Sequence, residues 1–475
     1  MDDGRDLSIG IIGGGLSGAL VAIELLRQAD FPIEITIYEP AARLGAGLAY
    51  GAAGPNHLMN ATAARVSLSD DPDDFRAFCA ANGPRLGWPA LVEAGPDDYL
   101  PRQLFAEYAA TAVERAVRRA GPRATLIHRR ARVLGLCRAG TGFELRVAGG
   151  ATARHDRVVL ATGNGAATPR IPGYDEARRQ GLIAGDPWSR ALTDGLGPEA
   201  PVLLLGSGLT MADAVVSLIT RGHRGPLHVL SRRGLVPEAR QPMPDRTMVI
   251  DPIAPPRRAS HLLALLRGLI RDHADGDWQT AFEALRPLVK HLWHQLEDAE
   301  RRRLWRHMRP YYDAHRFRMP PATAGLIARL RQDGRLMVLA GQVERVEPQW
   351  DGARVVWRGR GSDVLHELDV ARIVNCTGLA RGPDADPLLR RLLRQGLVRP
   401  GCGGNGLDAD ETGRLGPDLF AIGPLLRGNA LDPAVIPEIR TQATTLGEAL
   451  LRPIERGKAV GGARRGERPA ARLLN

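Results

Sequence analysis

The sequence predicts an α/β fold made of two similar units, each a strand, a glycine-rich turn, a helix and a second strand. The first unit occupies residues 7–38, and residues 202–230 repeat the same order of elements. Residues 236–320 break the alternation, because apolar residues recur there at helical spacing after a proline-rich start. We therefore expect two Rossmann-like domains, nested along the chain, with a helical insertion in the second one.

The composition is that of a folded protein with two or three domains, because 44% of the 475 residues are hydrophobic and 25% are charged. No apolar run of about 18 residues occurs, so no membrane span is predicted. The first residues, MDDGRDLSIG, carry acids where a secretory signal has basic and then apolar residues, which predicts a cytoplasmic location. The wide spacing of the cysteines argues against a disulfide framework, a dithiol redox centre and a metal site. They are Cys79, Cys137, Cys376 and Cys402.

The formal net charge is +11, and part of the excess lies in residues 453–475, a basic stretch that we expect to be disordered. Arginine far outnumbers lysine, which is more typical of a GC-rich bacterial genome than of a nucleic-acid partner. The remaining positive charge suits an anionic small molecule, such as a pyrophosphate or a 2′-phosphate. The oligomeric state does not follow from these observations.

The glycine-rich turn of the first unit has the spacing G-x-G-x-x-G, formed by Gly13, Gly15 and Gly18. In this pattern the first glycine allows a tight turn, the second lets a pyrophosphate approach the backbone, and the third lets helix and strand pack closely. Glu39 directly follows the second strand, where an acid accepts hydrogen bonds from a ribose. This order of elements predicts a dinucleotide site, and the alternative is a glycine turn without a ligand.

The second unit carries a similar turn, with Gly206, Gly208 and then Thr210 at the start of the helix. Its second strand ends in hydroxyl and guanidinium groups instead of an acid. Such groups bind a 2′-phosphate, which an acid would repel, so this unit is predicted to prefer NADPH over NADH. The alternative is an exposed arginine pair at a strand end. The residues in question are Ser231, Arg232 and Arg233.

A strand followed by Thr-Gly occurs twice, at Thr162-Gly163 and at Thr377-Gly378, once after each unit. This recurrence predicts that the chain leaves the first domain, forms the second and then returns to the first. The expected divisions are 1–170 and 373–452 for the first domain, 171–235 and 321–372 for the second, 236–320 for the insertion and 453–475 for the tail.

Segments of the chain resemble motifs of the bacterial FAD/NAD(P)-binding family of two-dinucleotide-binding-domain flavoproteins, which is related to the N-hydroxylating flavin monooxygenases. They are GAGLAYGAAGPNHLMNATAARVSLSDD at 45–71, YLPRQLF at 99–105, GSGLTMAD at 206–213 and IPEIRTQ at 436–442. The resemblance covers most of residues 7–451 and implies that FAD and NADPH are the cofactors.

The resemblance also implies how the ADP part of FAD is held. The three glycines of the first turn and Glu39 would bind it, and Arg43 would assist at the phosphates or the ribose. Arg102 would contact the flavin or a phosphate, and the alternative for it is a free surface arginine.

The flavin ring is expected near the segment from Tyr50 to Asn60. Asn60 is a candidate catalytic residue, or equally an amide that caps a loop. A helix start near the flavin pyrimidine edge would supply backbone N–H groups where negative charge develops on reduction. The further cofactor contacts that the resemblance implies are Thr162, Gly163, Gly378, Gly423, Ile436 and Pro437.

The activity that the resemblance implies is a monooxygenation. NADPH would reduce the flavin, the reduced flavin would react with O2, and a flavin hydroperoxide would transfer oxygen to a nucleophilic nitrogen or sulfur of a small substrate such as an amine or an amino acid. Baeyer–Villiger enzymes carry an aromatic-Gly-His-Trp fingerprint before the second nucleotide motif. The corresponding stretch here has Trp188 but no histidine, which disfavours that reaction.

The stretch RPYYDAHRFR, residues 309–318, collects charged and aromatic groups at the exit of the insertion. It would clamp an anionic substrate or the nicotinamide nucleotide, and the alternative is a solvated, salt-bridged helix end. His315 in this stretch is a candidate for proton transfer, although a lone histidine is more often structural.

Other functions remain open at this point. A flavin reductase or dehydrogenase would pass its electrons to another acceptor without transferring oxygen to a substrate. The distant cysteines argue against only one branch of these enzymes, the disulfide reductases. A non-catalytic FAD-binding module is the third possibility. The complete second turn and its Ser-Arg-Arg end argue against that module, because a structural flavin needs no NADPH site.

Overall fold

The structure is a computed structural model that describes residues 6–163, 165, 167–242, 257–272, 277–380 and 382–452. The basic stretch 453–475, for which disorder is expected, lies outside the described residues. So do two parts of the expected insertion, residues 243–256 and 273–276.

Short, mostly apolar segments form the strands, and the period-two or continuous burial of their side chains explains their extended form. In chain order the strands of the described residues are β1 (Leu7–Ile12), β2 (Ile33–Tyr38), β3 (Ala124–Arg129), β4 (Val133–Ala139), β5 (Gly142–Val147), β6 (Thr152–His155), β7 (Arg157–Leu160), β8 (Ile183–Ala184), β9 (Val202–Leu205), β10 (Leu227–Ser231), β11 (Leu336–Gln349), β12 (Gly352–Gly359), β13 (Leu365–Val370), β14 (Arg372–Asn375), β15 (Arg414–Gly416) and β16 (Leu419–Ala421).

Helices connect these strands and form the insertion. They are α1 (Leu16–Gln28), α2 (Gly47–Gly51), α3 (Asp74–Asn82), α4 (Arg102–Ala120), α5 (Tyr174–Arg179), α6 (Leu209–Thr220), α7 (Ala259–Asp272), α8 (Trp278–Leu285), α9 (Val289–Gln295), α10 (Asp298–Arg303), α11 (Arg309–Arg316), α12 (Pro321–Gln332), α13 (Pro387–Arg394) and α14 (Ile436–Leu451). A π-helical turn, Leu304–Met308, joins α10 to α11. In the described part of the chain, none of the helices has both the length and the apolar character of a membrane span.

The first sheet has the strand order β15-β16-β7-β1-β2-β3, and its strands from β16 to β3 are parallel. Parallel strands are covered on both faces, which explains why Ile9, Ile11 and Ile35 are completely buried. Helices α1, α4 and α14 pack on one face, whereas the antiparallel strands β4 to β6 and α13 cover the other.

The second sheet has the order β13-β12-β11-β10-β9-β14-β8, with parallel strands at its centre and an antiparallel hairpin, β12–β13, at one edge. Helices α6 and α12 pack on one face of it, and α5 packs on the other. The α/β class with two sheets, each built on a strand, glycine turn and helix, is therefore confirmed.

The chain crosses between the two sheets twice, as the two Thr-Gly sequences predicted. Strand β7 lies in the first sheet and β14 in the second, and the crossings follow them directly. The crossings pair with each other, because Ala167 N–H donates to the Gly378 carbonyl at 3.0 Å and Ala380 N–H to the Gly165 carbonyl at 2.8 Å. Strand β14, Arg372–Asn375, pairs with β9, so the return to the first sheet comes after Asn375.

The insertion, α7 to α11, forms its own apolar clusters, one of them around the buried Trp293. It also binds the returning part of the first domain. Arg309 donates to the Leu431 carbonyl at 2.7 Å, and Tyr312 donates to the Asp432 carboxylate at 2.7 Å. The insertion is therefore held against the returning part of the first domain, and its Tyr311 ring also lies beside Arg233 of the second unit.

Candidate active site

The first glycine turn has a backbone that only glycine accommodates. Gly13 has a φ of +104°, and a Cβ on it would lie 2.4 Å from the carbonyl oxygen of Ala161 at the end of β7. A Cβ on Gly18 would lie 2.0 Å from the Gly13 carbonyl oxygen, so α1 packs directly on the turn. A Cβ on Gly15 would lie 3.3 Å from the Cα atom of Gly47. This geometry is the one that the G-x-G-x-x-G pattern predicts.

Glu39 lies beside this turn at the carboxyl end of β2. Its two carboxylate oxygens accept hydrogen bonds from Gly14 N–H and Ala41 N–H, each at 2.9 Å. These contacts fix the carboxylate next to the turn and leave further lone pairs for ribose hydroxyls. The position fits the predicted ribose contact.

The second glycine turn repeats the geometry of the first. Gly206 has a φ of +107°, and its Cβ would lie 2.3 Å from the carbonyl oxygen of Cys376 at the end of β14. A Cβ on Gly208 would meet nothing within 4 Å, so the backbone there is open to a pyrophosphate. Thr210 lies in the first turn of α6.

The strand end after the second unit carries a group of cations that the sequence showed only in part. Ser231 Oγ accepts from Ser207 Oγ at 2.8 Å and from Gly234 N–H at 3.1 Å. The Arg233 guanidinium lies 5.5 Å from the centre of the Tyr311 ring. Hydrogen bonds from Arg360 and from Arg233 lower the pKa of the Tyr311 hydroxyl. Arg232 also makes an interaction with its surroundings.

Arg360 was missed by the sequence analysis. It follows β12, and its backbone N–H donates to the Ala340 carbonyl of β11 at 2.9 Å, which holds it beside the end of β10. The parallel pairing of β10 with β11 and the antiparallel pairing of β11 with β12 bring these distant residues together, but a single sequence gives no signal for this pairing. We call Ser231, Arg233, Tyr311 and Arg360 the phosphate cluster.

Arg102 has a partner that the sequence did not indicate. Its guanidinium binds the Asp213 carboxylate of α6 through two hydrogen bonds, at 2.5 and 3.1 Å, and the Leu58 carbonyl at 2.9 Å. Trp188 Nε1 donates to the same carboxylate at 3.0 Å. Arg102 therefore joins the first unit to the helix of the second. Its contact with a flavin or a phosphate stays a prediction.

His57 makes a second contact between the units. Gly54 N–H donates to its Nδ1 at 2.9 Å, so the proton of the neutral ring is on Nε2. Nε2 then donates to Ser217 Oγ at 2.9 Å and to the Asp213 carbonyl at 3.1 Å. Burial lowers the pKa of His57, which keeps the ring neutral. We call His57, Arg102, Trp188, Asp213 and Ser217 the interdomain cluster.

The residues predicted near the flavin ring lie on adjoining elements. Tyr50, in α2, packs its ring 4.5 Å from that of Phe105 in α4, and burial raises the pKa of Tyr50 to about 12. The half-buried Asn60 amide has no hydrogen-bond partner among the described residues, so its donors and acceptor are available. Arg43 pairs with Glu107 at the surface.

The return of the chain brings Gly423 to the first turn of α1. Its φ is +71°, its Cβ would lie 2.3 Å from Ser17 Oγ, and its N–H donates to Gln442 Oε1 at 2.9 Å. Gln442 belongs to α14, which begins at Ile436 with Pro437 in its first turn and packs along α1. The starts of α1 and α14 and the first glycine turn thus adjoin one another.

The two Thr-Gly sequences have a common backbone form. Gly163 and Gly378 have φ angles of +66° and +84°, and a Cβ at either would meet nothing within 4 Å. Thr162 lies beside the first glycine turn, because Ala161 contacts Gly13. Their predicted contacts with the cofactors stay predictions.

His315 lies in an aromatic cluster of the insertion. Its ring is 4.8 Å from the ring of Trp278 in an edge-to-face arrangement and 6.4 Å from that of Phe282. Nδ1 donates to the Tyr311 carbonyl at 2.8 Å, so Nε2 of the neutral ring keeps its lone pair. A proton-transfer role is chemically open to Nε2 and stays a prediction.

The charged stretch 309–318 does not form one clamp. Arg309 pairs with Asp313 at 2.6 Å, and Arg316 with Asp432 at 2.7 Å. Arg318 instead contacts Glu283 and Gln279 of α8. The stretch therefore divides between contacts to the first domain and a separate arginine group.

A cavity of about 620 Å³ lies between the insertion and the returning chain. His294, Arg301, Cys402 and Asp408 are among its lining residues. None of the predicted cofactor residues lines it. In the part of the chain that the structure describes, this cavity is therefore separate from the predicted nucleotide sites.

Comparison with known proteins agrees with this architecture. Residues 10–165 match a protein family described as FAD-NAD(P)-binding. A comparison with curated proteins finds no match.

Solved structures share the fold over almost the whole chain. The FAD-bound cadaverine monooxygenase DfoA of Erwinia amylovora has a TM-score of 0.65 at 14% identity, covering 98% of this chain and 100% of its own. The ornithine N-hydroxylase KtzI of Kutzneria sp. 744, with reduced FAD, NADP+ and L-ornithine, has a TM-score of 0.61 at 14% identity, covering 94% and 99%. The L-lysine 6-monooxygenase of Pseudomonas syringae has a TM-score of 0.62 at 16% identity, covering 94% and 99%.

The fold is that of the two-dinucleotide-binding-domain flavoproteins. Within it, residues 10–165 are similar to the FAD-NAD(P)-binding family.

Proposed function

We propose that the protein is an FAD-dependent, NADPH-consuming monooxygenase. Its substrate is a small amine or amino acid, oxygenated on a nucleophilic nitrogen, or a small molecule oxygenated on sulfur. The observation that carries this proposal is the pair of matched glycine turns, Gly13 and Gly206, each closed against the strand that ends in Thr-Gly. The similarity in fold to monooxygenases of ornithine, lysine and cadaverine adds support.

The residues of the first unit fit FAD. A Cβ on Gly13 or on Gly18 would overlap a backbone carbonyl oxygen, and α1 begins directly after Gly15, where its N-terminus would favour a pyrophosphate. Glu39 would accept hydrogen bonds from the ribose. Gly423 and the start of α14 would lie along the flavin.

The second unit fits NADPH. Gly208 leaves the backbone open to the pyrophosphate, and the phosphate cluster offers two guanidinium groups and two hydroxyls to the 2′-phosphate. Arg233 Nε is buried without a partner among the described residues, so a ligand oxygen would satisfy it.

Bound FAD would accept the hydride of NADPH and activate O2, and the chain would control the surroundings of that chemistry. The insertion excludes water by packing against both units. The unpaired Asn60 amide would donate a hydrogen bond near the flavin ring. His315 Nε2 would hold the proton that the reacting nitrogen loses.

The location that we propose is the cytoplasm. The four cysteines are free, which suits a reducing compartment. Small-molecule substrate, O2 and NADPH are the only partners that this function requires.

The test is a coupled assay on the purified FAD-loaded protein with a panel of amines, amino acids and thiols. The assay measures three quantities together. They are the NADPH consumed, the product that has gained one oxygen atom from labelled O2, and the hydrogen peroxide formed. Transfer of labelled oxygen to one substrate class supports the proposal. NADPH consumption that yields only peroxide across the panel would indicate a reductase, and no consumption at all would indicate a non-catalytic module.

A further inference from the structure

Four arginines surround a single carboxylate where the first nucleotide unit meets the insertion. Glu283 Oε2 lies 2.9 Å from Arg65 Nη1 and 3.6 Å from Arg286 Nη1, and Oε1 lies 3.1 Å from Arg240 Nη1 and also contacts Arg318 Nη2. Arginine stays charged in proteins, so this group, which we call the arginine quartet, carries three more positive charges than Glu283 neutralises.

The quartet is built into the interior on one side and opens to solvent on the other. The side chains of Arg318 and Arg240 are 1% and 5% exposed, whereas those of Arg65 and Arg286 are 28% and 30% exposed. Arg318 Nε is buried and has no partner among the described residues. Arg65 and Arg286 are therefore the members of the quartet that an anion from solvent can contact directly.

Among the described residues, the groups next to the quartet do not neutralise this excess. Gln279 Oε1 accepts from Arg318 Nη1 but is uncharged. Asp277 acts on Arg318 only at longer range, because its carboxylate caps α8. Burial, and after it the positive charge of Arg318, lowers the pKa of Arg240 to about 10. Buried charges without a counter-charge are unfavourable, so a bound anion would stabilise the quartet.

The quartet joins the first nucleotide unit to the beginning and the end of the insertion. Arg65 ends the turn Ala63–Arg65, which follows the segment from Tyr50 to Asn60. Arg240 comes shortly after Arg233 in the sequence, and its backbone N–H donates to the Met319 carbonyl at 2.9 Å. Glu283, Arg286 and Arg318 belong to the insertion. An anion bound here would lie where the first cofactor unit meets the insertion, close to the two points at which the insertion joins the second unit.

We infer that the arginine quartet binds the anionic end of the substrate, and that this end carries at least two negative charges, as a dicarboxylate or a phosphate group. This inference rests on the proposed function only in identifying the bound anion as part of the substrate. A simple diamine, which carries positive charge at both ends, would be repelled by the quartet. The oxygenated nitrogen or sulfur would lie at the other end of the same molecule.

The test is the binding of succinate and of inorganic phosphate to the FAD-loaded protein with saturating NADP+, which blocks the phosphate cluster. Calorimetric titration is compared for the wild type, Arg65→Gln, Arg286→Gln and the control Arg303→Gln, which removes an equal charge from the insertion at a side chain paired with Glu300. The inference expects saturable binding, weakened about ten-fold by each quartet variant and unchanged by the control. Tighter succinate binding identifies a dicarboxylate end, and tighter phosphate binding a phosphate end.

For Glu283→Gln we expect the opposite change in anion affinity. Removal of the competing carboxylate should tighten anion binding, and the added anion should raise the unfolding temperature of this variant more than that of the wild type. The inference is overturned if neither anion binds saturably, or if binding is equal in all variants. Because no turnover is needed, this result is separate from failure of the proposed monooxygenation.

Discussion

Gly13 and Gly206 hold equivalent places in the two units, and the next parallel strand explains why each must be glycine. At both positions φ is in the left-handed region and the space for a Cβ is occupied by a carbonyl oxygen, of Ala161 and Cys376 respectively. Any other residue at either position would therefore be destabilised twice, by backbone strain and by steric overlap of its Cβ.

Substitution Gly13→Ala should destabilise the protein by at least about 3 kcal/mol and abolish FAD retention, because strain and overlap add. Gly181→Ala is the matched control. Gly181 has a φ of +77° with nothing within 4 Å of its Cβ, so strain alone should cost about 1–2 kcal/mol there. Urea unfolding and flavin content give both values. Equal losses for the two variants would show that the contact with Ala161 is unimportant.

Arg360 should contribute to the choice between NADPH and NADH. Arg360→Gln should lower kcat/KM for NADPH about ten-fold through KM and leave NADH nearly unchanged, because only NADPH carries the 2′-phosphate. Arg358→Gln, which removes a nearby arginine paired with Glu344, is the control. Steady-state kinetics with both nucleotides decide the matter. An equal loss for both would place Arg360 outside the phosphate site.

At the scale of elements, buried His155 ties β6 to the first two strands of the first sheet. Its Nδ1 is 2.8 Å from Ser8 Oγ and its Nε2 is 2.7 Å from Tyr38 Oη. Burial lowers its pKa to about 4. Since the unfolded ring titrates near 6.5, the folded ring stays neutral between about pH 6.5 and pH 4 while the unfolded ring becomes protonated.

This depressed pKa predicts an acid sensitivity. As the pH falls from about 6.5 to 4, the unfolded state takes up a proton that folded His155 does not, so stability should fall by on the order of 3 kcal/mol. His155→Gln should flatten this dependence, whereas the exposed His291→Gln should not. Urea unfolding between pH 7 and pH 4 measures it. An unchanged slope in His155→Gln would contradict the assignment.

The interdomain cluster links α4 of the first unit to α6 of the second. Arg102→Met should lower the free energy of unfolding by about 2–4 kcal/mol, because Asp213 is left buried without its cation. It should also slow reduction of the flavin by NADPH, since the two units lose a contact that sets their positions. Arg115→Met breaks a pair within the first unit, to Asp74, and is the control. If both variants slow reduction equally, the link between the units has no special role.

For the whole molecule, local signals predicted the fold and only part of the site. The glycine turns, Glu39 and the Thr-Gly strand ends follow from short-range rules of backbone geometry, and they occur where those rules place them. Arg102 and Asp213 are 111 residues apart, and their pairing depends on how the crossings set one unit against the other. The arginine quartet likewise draws on three distant segments, so no window of sequence reveals it.

The central claim is that the two units bring NADPH to FAD. The most direct test is anaerobic mixing of the FAD-loaded protein with NADPH or NADH while the flavin absorbance is followed. The account predicts complete reduction by NADPH, at least ten-fold faster than by NADH at low concentration. A flavin that stays oxidised in the presence of saturating NADPH would contradict it.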